Sequence, residues 1–355
     1  MPGAPRLAVI PGAPRLAVIP GAPRLAILPG APRLAILIVT WNCRALALDC
    51  VRQAAASNIP GGSEIVVVDN ASGDGTADAV QAAFADVTVL RNRANAGFAA
   101  ANNQAIRVTS APFVLLLNPD AFPAAPDTFA HLLMCLDRDP GLAAVGPRLV
   151  FPDGRHQAGD AGYRPTLASV AAWSLGLHRW LRGLVVTGRP RAPVHDVDWV
   201  CGAAMLVRRA AIEQAGPLDE RFFMYAEDVE WGCRFRQAGW RIGYVHAQRV
   251  IHLQGGTQAP ASRGDAQAKT SRGDAQAQAS RCDDPEKAPR GDWLHRLGEL
   301  YDAQSGARHR RTFCGLLWLG FSVRGIAYAP VASGKARAMF AYARHAWHMR
   351  SGQPA

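Results

Sequence analysis

At 355 residues and 49% hydrophobic content, the chain has enough apolar material for one large α/β core plus an appendage, which excludes an intrinsically disordered protein. A formal net charge of +11 and a pI near 9.8 point to an anionic partner: nucleic acid, a phosphorylated substrate or an acidic membrane surface. Seven scattered cysteines without a C-x-x-C pair exclude a disulfide scaffold or Cys-rich zinc site and suit buried thiols in a reducing compartment.

The chain opens with four copies of PGAPRLA plus two aliphatic residues, beginning at Pro2, Pro11, Pro20 and Pro29. Two prolines per copy block helix and central strand, so residues 1–33 are expected to be a flexible tail. Proline and arginine also interrupt every apolar stretch that a signal peptide would need, and cytoplasmic synthesis without export is expected.

From the last copy onward, apolar runs alternate with helical patterns. Strands are predicted at 34–39, 64–68, 87–90, 113–117 and 143–147, and helices at about 45–57, 76–85, 98–108 and 127–137. This alternation implies right-handed crossovers and a mostly parallel sheet covered on both faces. The second half is less regular, with a strand at Met205–Val207, a helix at about 227–238 and a strand at Arg241–His246. A catalytic domain over 34–257 follows.

Residues 258–291 have too little apolar content to fold and contain a second nine-residue repeat, at Ser262 and Ser271. Each copy holds Arg-Gly-Asp, at Arg263 and Arg272, which carries no adhesion role in a cytoplasmic chain. The segment 292–355 is basic and helical, and Phe313–Val331 is too broken by glycine, Arg324 and Pro330 to span a bilayer. In Lys335–Arg350, Ala336, Met339, Phe340, Ala343 and Trp347 share one helical face, which suits either a membrane interface or docking on the chain's own domain.

Three acids follow apolar runs. Asp69 ends Ile65-Val66-Val67-Val68 and opens a turn, Asn70-Ala71-Ser72-Gly73-Asp74-Gly75-Thr76. In that turn Asp74 and Thr76 suit helix capping, while a carboxylate at the strand end can accept the imide hydrogen of uracil or thymine. There is no G-x-G-x-x-G loop after the early strands and no P-loop, so a nucleotide must be held by side chains and a metal. Asn118-Pro119-Asp120, after an entirely apolar strand, reads either as a surface turn or as the seat of Mg²⁺ or Mn²⁺, completed by substrate phosphates. Asn95-Ala96-Gly97-Phe98, with Asn102-Asn103 beyond, opens a helix whose N-terminus favours a diphosphate or a sugar hydroxyl. Glu227-Asp228 opens another, and its approach through Phe222-Phe223-Met224-Tyr225 desolvates Asp228 and suits it to be a general base. His252 is a structural hydrogen-bonder or, beside an acid-bound metal, a further metal or phosphate contact.

Taken in order, five landmarks over about Leu34–Thr257 resemble glycosyltransferase family 2, most closely its rhamnosyltransferase-like bacterial members. They are Ile38-Val39-Thr40-Trp41-Asn42, Val67 to Thr76, Asn95 to Asn103, Leu117-Asn118-Pro119-Asp120, and Val200-Cys201-Gly202-Ala203 leading to Phe223 to Glu230. The resemblance implies a GT-A-type nucleotide-diphospho-sugar-binding domain, inverting transfer and a divalent metal. It places Thr40, Asn42, Asp69, Asn70, Asn95, Gly97 and Asn118 on the nucleotide, Asp120 and His252 on the metal, and Asp228 with Glu227 at the reaction. Trp199, Gly202, Ala203 and Tyr225 fall on the acceptor side, where Trp199 and Tyr225 either stack on a sugar or pack in the core. Asn118 replaces the first acid of the family's metal motif, which leaves metal affinity mainly to Asp120.

The expected activity is transfer of a sugar, foremost rhamnose from dTDP-rhamnose, to a cell-surface polysaccharide or a lipid-linked precursor. The expected location is cytoplasmic, peripheral to the inner membrane, with no nucleic-acid partner. A UDP- or GDP-sugar donor is the near alternative, and a non-catalytic nucleotide-sugar-binding scaffold the distant one.

Overall fold

The computed structural model describes residues 31–164, 166–175, 177, 192–253, 298, 310–330 and 333–351. The repeats before residue 31 and the expected insert at 258–291 lie outside the described residues.

The first half runs β1 (Leu34–Thr40), α1 (Arg44–Ala55), β2 (Ser63–Asp69), α2 (Thr76–Ala83), β3 (Thr88–Arg91), α3 (Phe98–Val108), β4 (Phe113–Leu117), β5 (Ala121–Pro123), α4 (Thr128–Arg138) and β6 (Leu142–Val150). The second half adds β7 (Ala161–Gly162), α5 (Leu167–Ser174), β8 (His195–Val197), β9 (Trp199–Val200), β10 (Ala204–Arg208), α6 (Arg209–Ala215), α7 (Glu227–Gln237) and β11 (Arg241–His252). Two long helices follow, α8 (Arg310–Tyr328) and α9 (Ser333–Ser351).

One nine-stranded sheet carries the fold, in the order β3-β2-β1-β4-β10-β6-β11-β5, with β8 also on β11. β3, β2, β1, β4, β6 and β11 share a direction, so the expected α/β architecture with a mostly parallel sheet and a helical C-terminal extension is what the chain adopts.

Side-chain alternation explains why β1 is apolar throughout. Leu34, Ile36 and Ile38 pack with α1 and α4, through Val51, Leu132 and Leu136. Ala35 and Leu37 face the other way, into the layer with Ala101 and Ile106 of α3. Burying each large aliphatic side chain in these layers contributes about 1.5–3 kcal/mol.

The structure adds to the sequence expectation at β10 and departs from it at β11 and α9. β10 enters antiparallel between β4 and β6, because its partners are set by the sheet and not by its own short pattern. β11 does not stop at His246: a register shift between Val245 and Arg249 lets it continue and pair its end with β5. The helical face proposed for 335–350 is also divided: Ala343 is buried with Ala346 against α8 and Val170, whereas Phe340 and Trp347 are 39% and 47% exposed. The docking face of α9 is therefore rotated, and its exposed side mixes Phe340 and Trp347 with Arg337 and Arg344. Among the described residues, no helix is long and apolar enough to cross a membrane.

Candidate functional site

The order β2-β1-β4 reverses chain direction of travel at β1, since β2 lies on one side and β4 on the other. Open α/β sheets bind ligands outside the carboxyl ends of strands at such a switch point. Thr40, Asp69 and Asn118 sit at or just past those ends.

On the β1-β2 side, Asp69 is buried and pairs in register with Thr40. Its Oδ1 accepts from Thr40 Oγ1 at 3.3 Å and from the Ser72 hydroxyl, and its Oδ2 accepts from the Ser72 N–H at 3.2 Å. Asp69 therefore also builds its own turn, a role that Ser72 shares. Asn42, in a left-handed conformation at φ 49°, accepts the Gly73 N–H at 2.8 Å through its side-chain oxygen and braces the same turn. Asn70 links this turn to the next one, since its Nδ2 donates to Gly97 O at 3.2 Å and its Oδ1 accepts from Asn92 Nδ2 at 2.7 Å. Asn95 Oδ1 accepts the Gly97 N–H at 2.9 Å. The buried Asn102 and Asn103 turn away from the sheet edge: Asn102 bonds Phe98 O, and Asn103 holds the backbone of Leu218 in both directions.

Gly97 is the junction between this side and the next. Its φ of 84° with ψ of 175° is a combination essentially confined to glycine, and a Cβ there would lie 2.6 Å from Phe223 O. That carbonyl accepts the Phe98 N–H at 2.7 Å, so the turn that opens α3 is tied to the loop before α7. The Phe223 carbonyl gave no sequence signal, because any residue supplies one.

Asp120 is buried, and its Oδ1 lies 3.4 Å from Nε2 of buried His252. The β5-β11 pairing puts them side by side by setting His252 against Ala121, and the Leu253 N–H closes onto Asp120 O at 3.0 Å. Asn118 Nδ2 approaches the same Nε2 at 3.5 Å, and His252 Nδ1 meets Gln157 Oε1 at 2.6 Å. The Cys50 thiol donates to Asn118 O and Ala121 O, and burial pushes its pKa well above the ordinary thiol value, so it serves the turn as a neutral donor. One carboxylate and one imidazole suit a hard divalent cation that draws its remaining ligands from phosphate oxygens and water. Among the described residues, no group of three His, Cys, Asp or Glu side chains offers a metal cage.

Asp228 and Glu227 begin α7. Tyr225 and Ala226 before them both have left-handed backbone, at φ 71° and 67°, a strained arrangement for two residues with a Cβ. The half-buried Asp228 carboxylate accepts the Gly202 N–H at 3.0 Å and the Val229 N–H at 2.8 Å. Burial raises its pKa, and the two N–H groups offset that only in part. Glu227 is buried, while Tyr225 is 44% exposed beside it. Trp199 is 8% exposed, donates its indole N–H to Tyr163 O at 3.2 Å and lies where α7 passes closely at Gly232. It packs in the core and presents no free ring face for a sugar.

Backbone bonds tie the turn that bears Asp120 to the segment that holds Asp228. Asn118 N–H donates to Ala203 O at 2.9 Å, and the adjacent Gly202 holds Asp228. Burial pushes the Cys43 thiol up to about 12, and the charges of Asp74, Asp120 and Asp69 add to that rise.

The sequence model of the family described as "Glycosyltransferase like family 2" matches residues 32–264. An N-acetylglucosaminyl-diphospho-decaprenol L-rhamnosyltransferase of Mycobacterium tuberculosis is 32% identical over 203 residues, which cover 53% of this chain and 66% of that protein. The rhamnosyltransferase WbbL of Escherichia coli K12 is 27% identical over 169 residues, covering 44% of this chain and 60% of that protein. This chain thus matches somewhat under two thirds of either relative's length. Among solved structures, a mannosyltransferase from Pyrobaculum calidifontis in complex with GDP-Man and Mn²⁺ shares the fold, with a TM-score of 0.50 at 18% identity over 90% of this chain and 87% of that one. With the family's sequence pattern covering most of the sheet and both halves of the site, this chain belongs to the glycosyltransferase-like family 2.

Proposed function

We propose that the protein is an inverting glycosyltransferase that moves rhamnose from dTDP-rhamnose to a hydroxyl of a cell-surface polysaccharide or its lipid-linked precursor. The observation that carries this reading is Asp228: a desolvated carboxylate oriented by two backbone N–H groups, one of them from Gly202 beside the strand-end turn that bears Asp120. The names of the mycobacterial and E. coli relatives favour rhamnose, and the former favours a polyprenyl-diphosphate acceptor.

Asp228 takes the proton from the acceptor hydroxyl as that oxygen attacks the anomeric carbon from the face opposite the nucleotide, which inverts the centre. The Gly202 and Val229 N–H groups hold the carboxylate during the transfer, and burial makes it more basic than an exposed aspartate. Asp69 faces the base, with Thr40 and Ser72 fixing its rotamer. Asp120 and His252 would hold the divalent cation, Mg²⁺ or Mn²⁺, which when bound neutralises charge on the departing diphosphate. Incubating the protein with dTDP-rhamnose and with UDP- and GDP-sugars, with each metal and a polyprenyl-diphosphate-linked acceptor, tests the assignment. Product from dTDP-rhamnose above the others supports it; turnover of a UDP- or GDP-sugar alone overturns the donor.

The same reading includes contact with an anionic membrane surface through α8 and α9. Between Arg310 and Arg350 the chain has seven Lys/Arg and no Asp or Glu. Leu319, Val323, Ile326, Phe340 and Trp347 are exposed there, and a cavity of about 460 Å³ is lined by Trp318, Ser322, Arg337, Phe340, Ala343 and Arg344. Apolar side chains at a basic surface suit the headgroup boundary of an anionic leaflet. Each such basic residue is worth about 1 kcal/mol there, so Arg337→Glu with Arg344→Glu should lower partitioning onto phosphatidylglycerol vesicles by about 30-fold or more. Sedimentation with phosphatidylglycerol and with phosphatidylcholine vesicles measures this. Equal binding to both lipids would remove the anionic surface as the partner.

A further inference from the structure

Gln157 lies in the chain that returns from β6, on no element that carries the site, and it is buried against His252. We infer that Gln157 is a positioning residue of the metal seat: its amide oxygen fixes the His252 imidazole so that the Nε2 lone pair and the Asp120 carboxylate converge on one cation. The inference rests on the metal reading above and deepens it.

An amide oxygen has no hydrogen to give, so the 2.6 Å contact between Gln157 Oε1 and His252 Nδ1 places the hydrogen on Nδ1. In the neutral ring that leaves Nε2 with a lone pair, 3.4 Å from Asp120 Oδ1. That lone pair receives only a long contact from Asn118 Nδ2 at 3.5 Å, and Asp120 Oδ1 stands beside it, farther than the roughly 2.7–2.9 Å of a charge-assisted hydrogen bond. Adjacent ligands of an octahedral Mg²⁺-type ion, each about 2.1 Å from it, stand about 3.0 Å apart, so a small closure suffices. Fixing a ligating histidine by accepting from its second nitrogen is the recurrent outer-shell device of metal sites.

Gln157 is itself held in place. Its N–H donates to Leu149 O at 3.0 Å, and the preceding His156 bridges to Val150, which pairs with Ile251 of β11. Asp160 locks the same return segment, since its Oδ2 accepts from the Leu149 N–H at 3.1 Å and from the Tyr244 hydroxyl at 2.8 Å and meets His156 Nε2 at 2.9 Å. The buried polar group around Asp160 thereby gains a purpose: it fixes the backbone from which Gln157 reaches His252.

The test is Mn²⁺ binding by the full chain in the presence of dTDP, read as free Mn²⁺ by electron paramagnetic resonance, with thermal unfolding measured beside it. Gln157→Leu removes the acceptor and is expected to weaken binding by about 10–100-fold. Gln157→Glu keeps an acceptor and should stay within a few-fold of wild type. Gln157→Asn ends one methylene short and should weaken binding as Gln157→Leu does, which keeps the test open if the leucine variant fails to fold. Wild-type affinity in both the Leu and Asn variants, with His252→Ala weakened, overturns the role of Gln157 alone. No Mn²⁺ binding by wild type, or undiminished binding by His252→Ala, overturns the metal reading and this inference together.

Discussion

Asp228→Asn is expected to lower kcat by about 10²–10⁴-fold, the range that a positioned general base contributes, with little change in donor affinity. The amide keeps the size of the side chain and its oxygen still accepts one of the two N–H groups at Gly202 and Val229, so the loss reports proton transfer and not collapse of the loop. The pH profile should carry the same signature. Burial disfavours the ionised form of Asp228, so its pKa lies above the ordinary aspartate value. A base works only when ionised, so the wild-type rate should fall as pH drops through that raised value, and the asparagine variant should lack this acidic limb. A variant rate within tenfold of wild type would remove Asp228 as the base.

The second large effect is expected at Asp120. Asp120→Asn removes the single carboxylate next to His252 and leaves the turn intact, because the turn is held by backbone groups: Asn118 N–H on Ala203 O, Ala121 N–H on Asn118 O and Leu253 N–H on Asp120 O. Charge neutralisation at a departing diphosphate supplies several kcal/mol, so a loss of about 10³-fold in kcat at saturating Mn²⁺ is expected, together with weakened Mn²⁺ binding. Retained metal affinity with full turnover would place the cation elsewhere or dispense with it.

The parallel half of the sheet was legible because β1, β2 and β4 are buried on both faces and spell uninterrupted apolar runs. The helices between them were legible from period and from the turns before them, and among the described residues the cysteines at 43, 50, 135, 201, 233 and 314 are buried or half-buried. What escaped was set by tertiary partners. β5 and β9 are three and two residues long, too short for any periodicity, and the continuation of β11 past His246 depends on an irregularity that only its neighbour reveals. The rotation of α9 followed the same rule, since apolar residues interspersed with basic ones around a helix do not say which face docks. In the site, Asp69, Asp120 and Asp228 stood out as acids after apolar runs. Gln157 did not, being 95 residues from the histidine it touches. For Trp199 the sequence left stacking on a sugar and core packing both open, because composition cannot separate an aromatic ring on a surface from one under a helix.

The cluster that docks α8 and α9 includes Val170 of α5 and reaches the partly buried Val229, the residue directly after Asp228. α8 also crosses α5 so closely that a Cβ on Gly320 would collide with Ser174. A truncation at residue 264, where the family's sequence pattern ends, would bare that apolar seam beside Asp228. The portion of the chain that covers the surroundings of Asp228 is thus longer than the portion that the family's sequence pattern spans.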